Sequence, residues 1–396
     1  MILRISIFLI AVANGLVSTA QKSKSSMKQL IDENMTFAAQ QYKVLAKNVP
    51  PTVMPRYFDT SKGGLVTSDT KWWCSGFYPG TLWMIYANTK DEAIRQEGEK
   101  RLTLLEPIKN YTGNHDLGFM IFCSFGTAYD ITKNPAYKDV VFTAASSLAT
   151  RYRPSIKAIQ SWDSSKNFKC PVIIDNMMNL ELLEWVTLNG GDKRFHEIAV
   201  THSNTTMKNH YRPDYSSYHV LDYDLQSGNV SRKVTHQGYA DESAWARGQV
   251  WGLYGYIVMY RFTKNQEYLA LANNIARFLL NHPNLPADKI PYWDFNAPDI
   301  PNAKRDASAG SILASALLEL AQYSKGDEKK KYVSTAETIL RSLSSPAYRA
   351  PLGTNGGFLL MHSVGHLPAK SEIDVPLTYA DYYFIEALAR YKKWYL

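Results

Sequence analysis

Three cysteines in 396 residues are too few for a disulfide scaffold, and an odd number leaves no complete pairing. Cys74, Cys123 and Cys170 stand among aromatic or apolar neighbours (WWCSGF, MIFCSF, FKCPVI), so they read as buried free thiols and not as a nucleophile. No segment approaches the ~20 consecutive apolar residues of a membrane span, which excludes membrane insertion. The chain has no GxSxG elbow for a serine hydrolase and no glycine-rich phosphate or dinucleotide loop. HExxH, a cysteine cluster and an EF-hand loop are also missing. His115-Asp116 and His362 with His366 are the only pairs resembling ligands, so neither metal nor cofactor is expected. A basic stripe is lacking too. The 44 Lys and Arg exceed the 36 Asp and Glu by eight, yet they are scattered. That pattern excludes nucleic acid as partner and suits a small acidic substrate drawn in by a diffuse positive field.

What the chain does have is a leader, many aromatics and helical periodicity. Residues 1–20 carry Arg4, an apolar run Ile5–Val12 and small residues Ser18-Thr19-Ala20, the pattern of a cleaved signal peptide. Residues 21–396 are then the mature protein, exported and, in a Gram-negative cell, periplasmic. Aromatics make up 13%, with 26 Tyr and 9 Trp, which fits either a carbohydrate cleft or helix packing. Apolar residues recur at i, i+3, i+4 and i+7 over 28–47, 78–89, 91–109, 116–132, 136–151, 175–189, 192–208, 241–263, 265–281, 306–324, 328–344 and 376–394. Tight joints (Thr132–Pro135, Gly190-Gly191, Thr263–Asn265) alternate with long connectors at 48–77, 152–174, 209–240, 282–305 and 345–375. Those connectors hold Trp72-Trp73, Trp162-Asp163, His219, His236, Trp293-Asp294, His362 and His366. The reading is one all-α domain, an (α/α)6 toroid of six helical hairpins with functional loops at one end. Small β-hairpins are expected in 209–240, around Gln226–Asn229, and in 345–375.

The densest functional stretch is His236–Trp251, HQGYADESAWARGQVW. Trp245 and Trp251 offer flat faces for a sugar ring, and Arg247 offers a planar fork for a carboxylate. Two acids stand in unusually apolar settings: Asp116 in NHDLGFMIF and Asp175 in CPVIIDNMMNL. Helix N-capping is the ordinary role for such an Asp. A dry carboxyl near a second one is instead raised toward neutrality, as a general acid requires.

With these motifs quoted, the chain resembles the unsaturated glucuronyl hydrolases, glycoside hydrolase family 88. The resemblance rests on WWCSGFYPGTLW (72–83), HDLGF (115–119), IIDNMMN (173–179), RPDYSSYHV (212–220) and HQGYADESAWARGQVW, and spans nearly the whole mature chain. It implies an (α/α)6 barrel and a hydrolase of the C4=C5 unsaturated uronates that polysaccharide lyases leave on glycosaminoglycan fragments. Such enzymes hydrate the vinyl ether, so the two-carboxylate geometry of ordinary glycosidases need not apply. The resemblance also implies Asp175 as general acid/base and Asp116 as the second essential carboxylate. Gln237 and Arg247 match residues near the uronate, His219 and His236 match active-site histidines, Trp73, Trp162, Trp245 and Trp251 form aromatic walls, and the loop 353–366 helps choose the second sugar. An unsaturated rhamnogalacturonyl hydrolase on the same fold is the alternative, disfavoured by Arg247-Gly248-Gln249 where that group shows RGN. A non-catalytic sugar-binding protein would need a two-domain α/β clamp, which the helical periodicity contradicts. The sequence is silent on oligomeric state and sulfation preference.

Overall fold

The computed structural model describes residues 25–396, so the expected signal segment 1–20 lies outside the described residues. Twelve helices follow one another: α1 (Met27–Asn48), α2 (Phe77–Thr89), α3 (Glu92–Leu105), α4 (Gly118–Gly126 continuing as Thr127–Thr132), α5 (Pro135–Ala149) and α6 (Asn176–Leu188). The second half contains α7 (Arg194–Asn209), α8 (Ala246–Thr263), α9 (Gln266–Asn281), α10 (Ala307–Tyr323), α11 (Gly326–Leu343) and α12 (Thr378–Tyr395).

Burial separates them into two rings. In α10 the first fifteen residues, Ala307–Ala321, are all buried, and α8 is buried without a break from Ala246 to Met259. By contrast α9 buries only Tyr268, Leu271, Ala272, Ile275, Ala276 and Leu279, the single stripe of an amphipathic helix. The even-numbered helices therefore form an inner ring and the odd-numbered ones shield it. The inner ring closes on itself, with α2 against α4, then α6, α8, α10 and α12, and α12 back against α2. This is the (α/α) toroid.

Three of the hairpin turns repeat one solution. Thr89-Lys90-Asp91, Thr132-Lys133-Asn134 and Thr263-Lys264-Asn265 each end an inner helix. The Thr hydroxyl donates to the carbonyl four residues back. The Lys turns left-handed at φ 57–59°. The Asp or Asn side chain then accepts from an amide at the start of the next, outer helix.

The long connectors carry nine short strands. The hairpins expected in 209–240 and 345–375 are present: β6 (Val220–Tyr223) with β7 (Val230–Val234), and β8 (Ser363–His366) with β9 (Ser371–Val375). Others had no sequence signal: β1 (Met54–Asp59) with β2 (Gly64–Ser68), β3 (Tyr152–Arg153) with β4 (Ala158–Ile159), and β5 (Pro171–Ile173) against β6. β3, β4 and β5 are too short to display alternation, and β1 and β2 have no alternating burial to display. Two helix boundaries also change. The helix expected from 241 begins at Ala246, because 236–245 is tied down as a loop by Asp294, which accepts from the Tyr239 amide and the Ser243 hydroxyl. The helix expected over 116–132 is π-helical from Gly118 to Gly126.

Among the described residues no helix is long and apolar enough to cross a membrane.

Candidate active site

All six inner helices begin at the end of the ring that holds the long connectors, so Trp73, Asp116, Asp175, Arg247, Asp306 and Tyr379 collect there. Their N-terminal dipoles converge on the same space and favour an anion.

Asp175 precedes α6 in right-handed helical geometry, and its side chain caps nothing. The N-cap reading fails for it. It fits Asp306 instead, which accepts from the amide and hydroxyl of Ser308 at the start of α10. Asp175 Oδ2 is buried with no hydrogen-bond partner. Burial pushes this carboxyl up to about 7, Arg247 opposes the rise and Asp116 reinforces it.

Asp116 stands two residues before the π-helical stretch, with its amide held by Asn114 Oδ1 at 2.9 Å. Burial raises its carboxyl to about 7, against the pull of Arg151 and Asn179. Gly118 makes this approach possible. A Cβ there would come within 2.5 Å of Asn179 Cα on α6. Asn179 Oδ1 in turn accepts from the Phe119 amide at 2.9 Å and so seats α4 on α6. His115 lies 3.4 Å from Asp116 and is neutral, burial holding it near 3. Arg151, itself buried, ties together the strands bearing both sides of this corner by donating to Thr112 O, Gln160 O and Asp163.

His219 has a fixed proton. Its Nδ1 accepts from the backbone amides of His236 and Gln237, both at 3.2 Å, so the hydrogen sits on Nε2. Nε2 faces Asp175 Oδ2 at 3.7 Å, and both atoms lack a partner. Burial first, then the nearby His236, holds its pKa well below the usual histidine range. His219 is therefore a neutral donor aimed beside the Asp175 carboxyl. Two unpartnered buried polar atoms facing each other mark a position that substrate or water completes.

The aromatic expectations divide. Trp73 and Trp162 are partly exposed and offer edges to the cleft. Trp73 packs on Tyr379 (centroids 4.9 Å apart) and Phe119, and Trp162 leans on His236 at 5.8 Å. Trp245 and Trp251 are not walls. Trp245 is sandwiched by His219 at 4.3 Å and the Arg247 guanidinium at 4.6 Å, and Trp251 is fully buried against Phe119 and Tyr383. Both indoles are spent on packing.

Arg247 is partly engaged within the chain. Its terminal nitrogens donate to Val364 O, Gly365 O (2.7 Å) and Asp306 Oδ2 (3.1 Å), so the side of the fork formed by Nε and Nη2 is the one left toward a carboxylate. Gln237 Nε2 donates to the same Gly365 carbonyl at 2.9 Å. Together they fasten the β8–β9 hairpin over the cleft. His366, on that hairpin, donates from Nε2 to His236 O at 2.8 Å. Sequence reasoning missed Asp306, Gly365 and Asn179, because their roles depend on contacts 59 to 118 residues away.

Against known proteins the picture is consistent. No family model matches the chain. An unsaturated glucuronyl hydrolase of Formosa agariphila is 48% identical over 323 residues, 81% of this chain and 80% of that protein. This chain belongs to the unsaturated glucuronyl hydrolases. It is a glycoside hydrolase. An unsaturated chondroitin disaccharide hydrolase of Streptococcus pyogenes is 32% identical over 82% of the chain and 83% of its own length. Among solved structures, an unsaturated glucuronyl hydrolase specific for heparin superposes with TM-score 0.89 at 44% identity, covering 92% of this chain and 98% of that one. The Bacillus sp. GL1 unsaturated glucuronyl hydrolase gives TM-score 0.85 at 30% identity, covering 93% and 97%.

Proposed function

We propose that this unsaturated glucuronyl hydrolase acts on heparin-type disaccharides released by lyases, using Asp175 as the acid that starts the reaction. One observation carries the assignment of Asp175: its carboxyl is dry, caps nothing and holds its proton to about pH 7. Asp175 gives that proton to C4 of the vinyl ether. Charge developing at C5 and the ring oxygen is taken up by water, whose proton returns to the Asp175 carboxylate. The C5 hemiketal then opens at the ring oxygen to a C5 ketone, and the hemiacetal this leaves at C1 collapses to an aldehyde and releases the second sugar. Asp116 supplies the like charge that keeps Asp175 protonated, and the His219 Nε2–H orients the water or a hydroxyl beside it. Heparin-type fragments are favoured because the solved relative named as specific for heparin shares 44% identity, against 32% for the Streptococcus pyogenes chondroitin disaccharide hydrolase. The N-terminal segment supports export to the periplasm, where lyase products would be met.

The test is loss of enoate absorbance across a panel of lyase-generated disaccharides, run in heavy water. Deuterium at C4 of the released keto-acid is expected. A saturated glucuronide of the same linkage should bind without turnover, and its efficient cleavage would overturn the hydration mechanism.

A further inference from the structure

Behind the β8–β9 hairpin lies a guanidinium that the reaction as described leaves unused. Arg56, on β1, sits over the Trp72 indole with its central carbon 4.0 Å from the ring centroid. Its Nε donates to Glu372 Oε1 at 2.5 Å. Among the described residues neither terminal nitrogen of Arg56 has a partner, although the side chain is only 23% exposed. An arginine held over an indole and anchored at Nε has lost most of its rotamer freedom, so its outer edge is a pre-organised fork for an oxyanion.

Glu372 is held with equal care. It adopts φ +55°, a conformation unfavourable for a glutamate, and its carboxylate is almost fully buried. Strain of this kind persists only where the surroundings enforce it, and it gathers at working sites. The carboxylate packs directly on Gly365, where a Cβ would come within 2.1 Å of Glu372 Oε2. Gly365 is the residue whose carbonyl receives both Arg247 and Gln237. Trp72 adjoins Trp73, the cleft wall. The fork is thus one residue layer from the anchor of the cleft, and both terminal nitrogens of Arg247, the other buried cation there, are engaged by Asp306, Val364 and Gly365.

We propose that Arg56 is a specificity-determining residue that receives an oxyanion of the substrate, either a sulfate ester or the uronate carboxylate, on its free terminal nitrogens. The inference rests on the proposed substrate class.

Wild type, Arg56→Ala and Arg56→Lys are compared for kcat/KM on three substrates: an unsulfated unsaturated disaccharide, its sulfated counterparts, and the methyl ester of the unsulfated uronate. If sulfate is the ligand, Arg56→Ala loses tenfold or more on one sulfated substrate and keeps its rate on the unsulfated one. If the uronate is the ligand, both acids lose alike and the ester does not. Arg56→Lys, with charge but no fork, should fall between. Equal loss on all three substrates, or no loss on any, overturns the proposal and leaves Arg56 a structural partner of Glu372. Should the wild type turn over none of them, the substrate reading fails separately. Calorimetric binding of the same disaccharides to wild type and Arg56→Ala then decides the role of Arg56 on the same criteria.

Discussion

At the scale of single residues the chemistry depends on water being kept from two carboxyls. Asp175→Asn removes the proton donor at nearly constant volume, and no capping bond is lost with it. Turnover is expected to fall by at least ~10²–10⁴-fold, measured as kcat on the best disaccharide. Stability should move the other way at alkaline pH. The unfolded carboxyl releases its proton near 3.8 and the folded one near 7, so between these values the unfolded chain binds fewer protons. Wild-type stability is therefore lost as pH rises from about 4 through 7, by up to roughly 4 kcal/mol for such a shift. Asparagine cannot ionise, so the Tm of Asp175→Asn should exceed wild type at pH 8 and match it at pH 4. The pair titrates jointly, and this gives a second expectation. Asp116→Asn removes the like charge that lifts Asp175, so any residual activity should show an alkaline limb displaced to lower pH. An unshifted limb would separate the two carboxyls. The apolar setting that raises both carboxyls was legible in sequence from their neighbours. The engagement of Arg247 was not, because the carbonyls that its terminal nitrogens reach lie on a hairpin 117 and 118 residues downstream.

At the scale of elements, helix number and alternation were readable from periodicity, since each outer helix shows one apolar stripe. The Thr-Lys-Asx turns were present in the sequence as well, and were visible as tight joints though not as a repeat. What periodicity could not reveal is the π-helical start of α4. A side-chain oxygen from another helix, Asn179 Oδ1, takes the Phe119 amide there, and Gly118 admits the contact. Extra residues per turn near a reacting group are a recurrent functional device. Gly118→Ala should wedge α4 off α6, costing about 1–3 kcal/mol of stability as overpacking does. It should lower kcat more than it changes KM, because it displaces Asp116 from Asp175. Thermal melting and steady-state kinetics on the purified variant check both halves.

For the whole molecule, the end of the ring away from Asp175 is closed by ions. Arg261 pairs with Glu181 and Glu319, and Arg390 pairs with Glu319 and Glu386, around a cavity of about 420 Å³. Burial alone would raise Glu319, but the two arginines outweigh it and hold the carboxyl near 2. Glu319→Gln removes the carboxylate shared by both guanidinium groups, leaving Arg261 with Glu181 and Arg390 with Glu386. A loss of about 1–3 kcal/mol is expected in denaturant unfolding, with kcat/KM unchanged at temperatures where the variant is folded. Coupling of activity to this substitution would show that the ring transmits strain from one end to the other.

The ring closes between its first and last helices, and that has a bearing on how the chain is made. Asp381, wholly buried in α12, accepts from the Tyr42 hydroxyl of α1 and from the amides of Leu359 and Leu360. While α12 is still inside the ribosome, α2 and α10 have no neighbour on one flank, and their apolar sides stay bare. Until α12 packs, those bare flanks are surfaces on which one chain can stick to another, so closure of the ring competes with aggregation.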